Sequence, residues 1–121
     1  MSELIALVIE DHDDISTLFR MVLQEAGFET DVIQDGHAAQ ERLADVVPDL
    51  VILDLHLPGV NGDQILKQIR ADERMTETRV IVITAYSSLA ITLRGEAGLV
   101  LIKPVSLSLL HRLVARLCVS Q

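Results

Sequence analysis

Apolar residues along this chain fall into two alternating patterns. Short unbroken runs occur at Leu4–Ile9, Leu50–Leu53, Val80–Ile83 and Leu99–Ile102. Runs of this length, rich in Val, Ile and Leu, predict strands buried on both faces of a sheet. A fifth strand, Phe28 to Ile33, carries Glu29, Thr30 and Asp31 among its apolar positions and suits a less buried edge. Between the strands the spacing turns helical. Ile15, Leu18, Phe19, Val22, Leu23 and Ala26 predict a first helix with Gly27 at its C-terminal cap. Gln34-Asp35-Gly36 reads as a turn, and a helix from Gly36 to Val46 buries Ala39, Leu43 and Val46 before Pro48 stops it. After a loop of turn residues from Leu55 to Gly62, Ile65, Leu66 and Ile69 point a third helix inward. Arg70 to Thr78 reads as charged and exposed, and Ser87–Glu96 as a short helical segment. From Ser106 onward, Leu107, Leu110, Leu113, Val114 and Leu117 line one face of a last helix.

Strands alternating with helices in this way predict an α/β fold with a five-stranded parallel sheet covered on both faces. Right-handed crossovers make it doubly wound, with strand order 2-1-3-4-5 and a ligand site outside the carboxyl ends of the strands. The residues that follow the apolar runs then gain meaning. They are Glu10-Asp11, Asp54, Thr84 and Lys103-Pro104. A parallel sheet gathers them at one edge, where three carboxylates, a hydroxyl and an ammonium can hold a hard divalent cation and carry a phosphoryl group. Asp54 stands out because a carboxylate directly after four buried aliphatics is costly unless it is solvated, paired or metal-bound. Taken singly, Asp11 could be a helix cap and Thr84 an ordinary β-branched strand residue. Asp13 and Asp14 read as N-cap and first-turn acids of the first helix rather than as ligands.

Composition narrows the partners. With 121 residues the chain is expected to form one domain, residues 1–121, and half of those residues are hydrophobic. A net charge of −8 argues against direct nucleic-acid binding, which needs clustered Lys and Arg. Met1-Ser2-Glu3-Leu4 lacks the basic region of a secretory signal, and no apolar run is long enough to span a bilayer, so a cytoplasmic protein without membrane partners is expected. The single cysteine, Cys118, reads as a small apolar residue of the last helix. His12, His37, His56 and His111 lack zinc-ligand spacing.

Taken together, Glu10-Asp11, Asp54 with its following Leu-His-Leu-Pro58-Gly-Val-Asn-Gly62, Thr84-Ala85 and Lys103-Pro104 make the chain resemble the receiver domain of bacterial response regulators, over Leu4 to Leu117. The resemblance implies a flavodoxin-like three-layer sandwich and a part in a two-component phosphorelay. It implies that Asp54 accepts a phosphoryl group from a histidine kinase or phosphotransfer protein, giving an acyl phosphate. It implies Mg²⁺ held by Glu10, Asp11, Asp54 and the backbone carbonyl of His56, with Lys103 pairing to the transferring group and Thr84 hydrogen-bonding it on arrival. Such a domain is a switch that acts on a downstream protein target, not an enzyme with a turned-over substrate.

Some positions depart from the family pattern. Val100 stands where Tyr or Phe is usual, Val105 where Phe is common, and the stretch from Thr84 to Lys103 is about one helical turn short. His56 and Tyr86 occupy positions that, in this family, affect how fast water removes the phosphate. The apolar Leu99–Ile102 edge strand, with less cover from a short fourth helix, predicts a homodimer through the fourth-helix, fifth-strand and fifth-helix face. Two other classes stay open: a receiver-like interaction module that is not phosphorylated, and a Mg²⁺-dependent phosphatase using the Asp11-x-Asp13 pair. No output domain is legible, which leaves a stand-alone regulator or the receiver part of a longer polypeptide.

Overall fold

The computed structural model describes residues 4–86, 88 and 98–119, the side chains of 118 and 119 excepted. In order they form β1 (Leu4–Ile9), α1 (Asp13–Glu25), β2 (Phe28–Ile33), α2 (Gly36–Asp45), β3 (Leu50–Asp54), α3 (Gly62–Ala71), a 3₁₀ turn (Glu73–Met75), β4 (Arg79–Thr84), β5 (Gly98–Ile102) and α4 (Leu107–Val119). The sheet is parallel throughout and ordered β2-β1-β3-β4-β5, as predicted. The helical segment expected at Ser87–Glu96 and the environment of Cys118 lie outside the described residues. Among those that are described, no helix is long and apolar enough to cross a membrane.

Side-chain alternation along the strands divides the core in two. Leu7, Ile9, Val51, Leu53, Val80 and Val82 pack on one face with Ala39 and Leu43 of α2 and Ile65, Leu66 and Ile69 of α3. Ala6, Val8, Leu50, Ile52, Ile81 and Ile83 pack on the other with Phe19, Val22 and Leu23 of α1 and Leu110 and Val114 of α4. Because helices cover both faces, β3 is buried at every position, whereas β5, on the edge, is nowhere fully buried. Val100 packs partly buried against the first core half, and Val105 against the second.

Three expectations need correction. Arg70 to Thr78 is not uniformly exposed: the 3₁₀ turn carries Met75 into the core, and buried Thr78 donates its hydroxyl to the Pro48 carbonyl at 2.7 Å. One apolar residue at the right point of a charged stretch is enough to anchor a turn, and periodicity over so few residues does not reveal it. The apolar stripes of the first and last helices are narrower than predicted, since Leu18 is 42% and Leu107 37% exposed. Finally, His12 and not Asp13 is the N-cap of α1; Asp13 and Asp14 sit in the first turn, where they still favour its unpaired amides. Asp35, read as a turn residue, caps α2 by accepting from the Ala38 N–H at 2.9 Å.

The amino ends of the central strands are tied together by one residue. Asp49 accepts the Ile5 N–H on its carboxylate at 2.8 Å, donates its own N–H to the Ile5 carbonyl at 2.8 Å, and accepts the Arg79 N–H on its carbonyl at 3.0 Å. At the other end, α3 starts hard against β3: a Cβ on Gly62 would lie 2.5 Å from the Leu55 Cα and 2.8 Å from the Asp54 carbonyl oxygen. Those neighbours are backbone and cannot yield cheaply. Gly62→Ala is therefore expected to destabilise the fold by about 1–3 kcal/mol, the usual cost of overpacking a tight contact. Urea denaturation of the two proteins checks this, and equal midpoints would show that α3 can move off the strand.

Candidate functional site

Each candidate residue is set by a strand end. The Glu10 N–H prolongs the β1–β2 ladder by donating to the Ile33 carbonyl at 3.0 Å. Asp54 is the last residue of β3, in register with Ile83, and Thr84 the last of β4, in register with Ile102. The Lys103 N–H donates to the Thr84 carbonyl at 2.8 Å, and the Lys103–Pro104 peptide bond is cis. Parallel pairing in this register delivers all of these residues to the carboxyl edge of the sheet, where the β1 and β3 connections diverge.

At the centre, Asp54 is only 2% exposed. Its Oδ2 accepts from Lys103 Nζ at 3.1 Å and its Oδ1 from the His56 N–H at 2.9 Å. Glu10 is fully buried beside it. Its Oε2 accepts the His12 N–H and meets His12 Nδ1, each at 3.2 Å, while its Oε1 has no hydrogen-bond partner. Asp11 Oδ1 is likewise buried without a hydrogen bond and lies 3.4 Å from His12 Nδ1. One ligand atom from each of Glu10, Asp11, His12 and Asp54 falls within 4.8 Å of all the others. Around the rim, Thr84 Oγ1 accepts the Tyr86 N–H at 3.1 Å and lies 3.4 Å from His56 Nε2, and the His56 and Tyr86 rings meet edge to face with centroids 5.0 Å apart.

The electrostatic consequence is clear in two groups. Burial above all, and then the adjoining Asp54 carboxylate, push Glu10 up to about 7. The imidazole of His12 is held above its ordinary value, first by its hydrogen bond to Glu10 and then by the charge of Asp11. Buried carboxylate oxygens without donors are an arrangement that a hard cation with oxygen ligands satisfies. The structure thus brings together Glu10, Asp11, Asp54 and Lys103 as the strand ends predicted, with Thr84 and His56 at the rim. Asp13 does not join them: it lies exposed on α1 and accepts from Gln34 Nε2. An Asp11-x-Asp13 pair converging on one substrate is therefore not formed. His12 is the side chain that sequence reasoning left out, although its position next to Glu10-Asp11 was the available signal.

Comparisons with known proteins agree with this fold. The family model for the response regulator receiver domain matches residues 6–115. The chain is 38% identical over 90 residues to the phosphate regulon transcriptional regulatory protein PhoB of Rhizobium meliloti, an alignment covering 74% of this chain and 40% of that protein. It is 34% identical over 113 residues to the regulatory protein AtoC of Escherichia coli, covering 91% of this chain and 24% of that protein. The chain thus spans well under half the length of these relatives. Among solved structures, a putative response regulator from Chloroflexus aurantiacus superposes with a TM-score of 0.86 at 24% identity, over 98% of this chain and 99% of that one. The receiver domain of a Pseudomonas aeruginosa sensor histidine kinase, crystallised with magnesium in its active-site cleft, superposes at 0.80 with 24% identity, over 97% and 98% of the two chains.

Both perturbed groups hold protons more tightly when folded, so their contribution to the stability of the metal-free protein is full below their unfolded values and lost as pH rises through the folded ones. In the presence of a chelator, the urea midpoint is expected to be lower at pH 8 than at pH 6, and Glu10→Gln to flatten the difference. A midpoint that rises with pH over this window in the wild type would contradict the burial assigned to Glu10.

Proposed function

The chain belongs to the response regulator receiver domain family, and from that premise we propose that it is a phosphoacceptor switch whose acceptor is Asp54. The observation that carries this reading is a carboxylate 2% exposed, at a strand end, with Lys103 Nζ 3.1 Å from one oxygen. Asp54 attacks the phosphorus of a phosphoimidazole on a histidine kinase or phosphotransfer protein; the new P–O bond forms as the P–N bond breaks, and its electron pair returns to the donor imidazole. The product is an acyl phosphate on Asp54. Lys103 exchanges part of its contact with Asp54 for the incoming phosphoryl oxygens, which it attracts as their charge develops. Thr84, one strand over, donates its hydroxyl proton to a phosphoryl oxygen. Glu10, Asp11, Asp54 and the His56 carbonyl would hold Mg²⁺, for which the unpartnered Glu10 Oε1 and Asp11 Oδ1 are fitting ligands. When bound, that ion offsets the charge of carboxylates and phosphoryl oxygens brought into one small volume. The chain acts in the cytoplasm and passes its signal to a protein, since a net charge of −8 disfavours direct contact with nucleic acid.

The donor reaches the site beside an apolar groove of about 470 Å³ lined by Ile15, Leu18, Phe19, Pro104, Val105 and Leu107 and bordered by Lys103. Exposed Leu18 and Leu107 are well placed to bury against a phosphohistidine-bearing partner whose imidazole must approach Asp54. With Mg²⁺ and acetyl phosphate, intact mass is expected to show one phosphoryl group per chain and none on Asp54→Asn. Lys103→Ala should slow labelling by about a hundredfold, as removal of a transition-state charge partner does. Leu18→Asp should leave labelling by acetyl phosphate unchanged yet slow transfer from a histidine-phosphorylated protein by about tenfold or more, the cost of an interface hot spot. Equal labelling of wild type and Asp54→Asn would displace the acceptor assignment, and labelling of neither would favour an unphosphorylated interaction module.

Homodimerisation through β5 and α4, together with the segment between β4 and β5, belongs to the same proposal. Its support is the edge position of β5 and the exposure of Ile102, at 46%, and Leu109, at 39%. Val100 gives this face no aromatic ring to couple it to Thr84. Sedimentation equilibrium with and without beryllofluoride is expected to give the same dimer; a monomer in both conditions removes the dimer, and one that forms only with beryllofluoride removes the uncoupling.

A further inference from the structure

We infer that His12 supplies a nitrogen ligand to the cation site of Glu10, Asp11 and Asp54, making this site favour first-row transition-metal ions such as Mn²⁺ over Mg²⁺. The inference rests on the divalent-cation reading given above and adds to it the ligand that sets metal preference. Three observations carry it.

His12 is turned onto the acids, and helix capping does not explain the placement. It is the N-cap residue of α1, but its side chain makes no capping hydrogen bond. Its backbone does the local work, with the N–H donating to Glu10 Oε2 at 3.2 Å and the carbonyl accepting the Ser16 N–H at 2.9 Å. The ring has no capping role and instead meets the cluster through Nδ1, 3.2 Å from Glu10 Oε2, while its outer face is open, the side chain being 63% exposed.

The distances are those of ligands sharing one ion. Nδ1 lies 3.2 Å from Glu10 Oε2 and 3.4 Å from Asp11 Oδ1. Donors about 2.1 Å from a common centre sit about 3.0 Å apart when octahedrally adjacent and about 3.4 Å apart when tetrahedral. The nitrogen therefore joins the carboxylates at ligand spacing, and on binding the ion takes the place of any proton shared between them. Within the same cluster, fully buried Glu10 leaves Oε1 unpartnered, and buried Asp11 Oδ1 has no hydrogen bond. The nearby imidazole of His56 is engaged differently, with Nε2 3.4 Å from Thr84 Oγ1 and its ring against Tyr86.

The chemistry then follows from ligand type. Mg²⁺ prefers oxygen donors and retains its waters, so an imidazole adds little to its binding, whereas imidazole suits the later divalent ions. One nitrogen among three carboxylates leaves Mg²⁺ affinity nearly unchanged and raises that for Mn²⁺ and its successors.

Pulsed electron paramagnetic resonance of the wild-type protein loaded with Mn²⁺ is expected to show coupling to an imidazole ¹⁴N, lost in His12→Asn and retained in His56→Gln. Displacement of Mn²⁺ by Mg²⁺, followed by the signal of free Mn²⁺, should need about tenfold more Mg²⁺ in the wild type than in His12→Asn, at least the loss that disturbing an outer partner of a metal ligand brings. Mn²⁺ bound with no nitrogen coupling in the wild type, coupling that survives His12→Asn, or equal displacement in the two proteins would overturn the inference while leaving the cation site intact. Absence of Mn²⁺ binding in the wild type would overturn both.

Discussion

Glu10, Asp11 and Asp54 meet at one sheet edge with Lys103 as the ammonium among them, and the arrangement of that edge answers to this excess of negative charge. Glu10 is fully buried, so its charge cannot be relieved by water. The molecule relieves it by holding a proton on Glu10 up to about 7 and by drawing the His12 imidazole onto the carboxylates. Lys103 reaches past β4 to Asp54 for the same reason. An edge under this tension responds to any new charge that enters it, whether cation or phosphoryl group, and such responsiveness is what a switch needs.

The sheet that imposes this tension also resists it. Core residues on β1, β3 and β4 alternate between two layers, so these three strands are gripped from both faces. Displacing Asp54 would mean displacing Ile52 and Leu53, which are fully buried in opposite halves of the core. The strand ends are thus fixed points. Freedom is left to the ends of the side chains.

Much of this could be read in the residues themselves. Unbroken Val, Ile and Leu runs followed by polar residues leave little choice but a parallel sheet with chemistry at its carboxyl edge, which is why Glu10, Asp11, Asp54, Thr84 and Lys103 are recognisable as candidates in the sequence. Thr84 was legible as a candidate but not its actual partners, because the Tyr86 amide and the His56 ring reach it through a loop conformation that periodicity does not encode. His12 escaped notice for a related reason: ligand-spacing rules search for metal-binding histidines in regular intervals, whereas here the imidazole joins through the turn between β1 and α1. Met75 was hidden by its charged neighbours, and Leu18 and Leu107 were over-read because helical spacing reports a stripe but not how wide the covering layer is.

The Asp49 junction gives the sheet a mechanical polarity. The carboxylate, N–H and carbonyl of one residue pin β1, β3 and β4 to one another at their amino ends, and Thr78 adds a further tie to Pro48 there. With the strands gripped by both core layers and pinned at their amino ends, a change of charge at Asp54 has only the ends of side chains and the loop residues beside it to move, and the sheet is the stationary reference against which they rearrange.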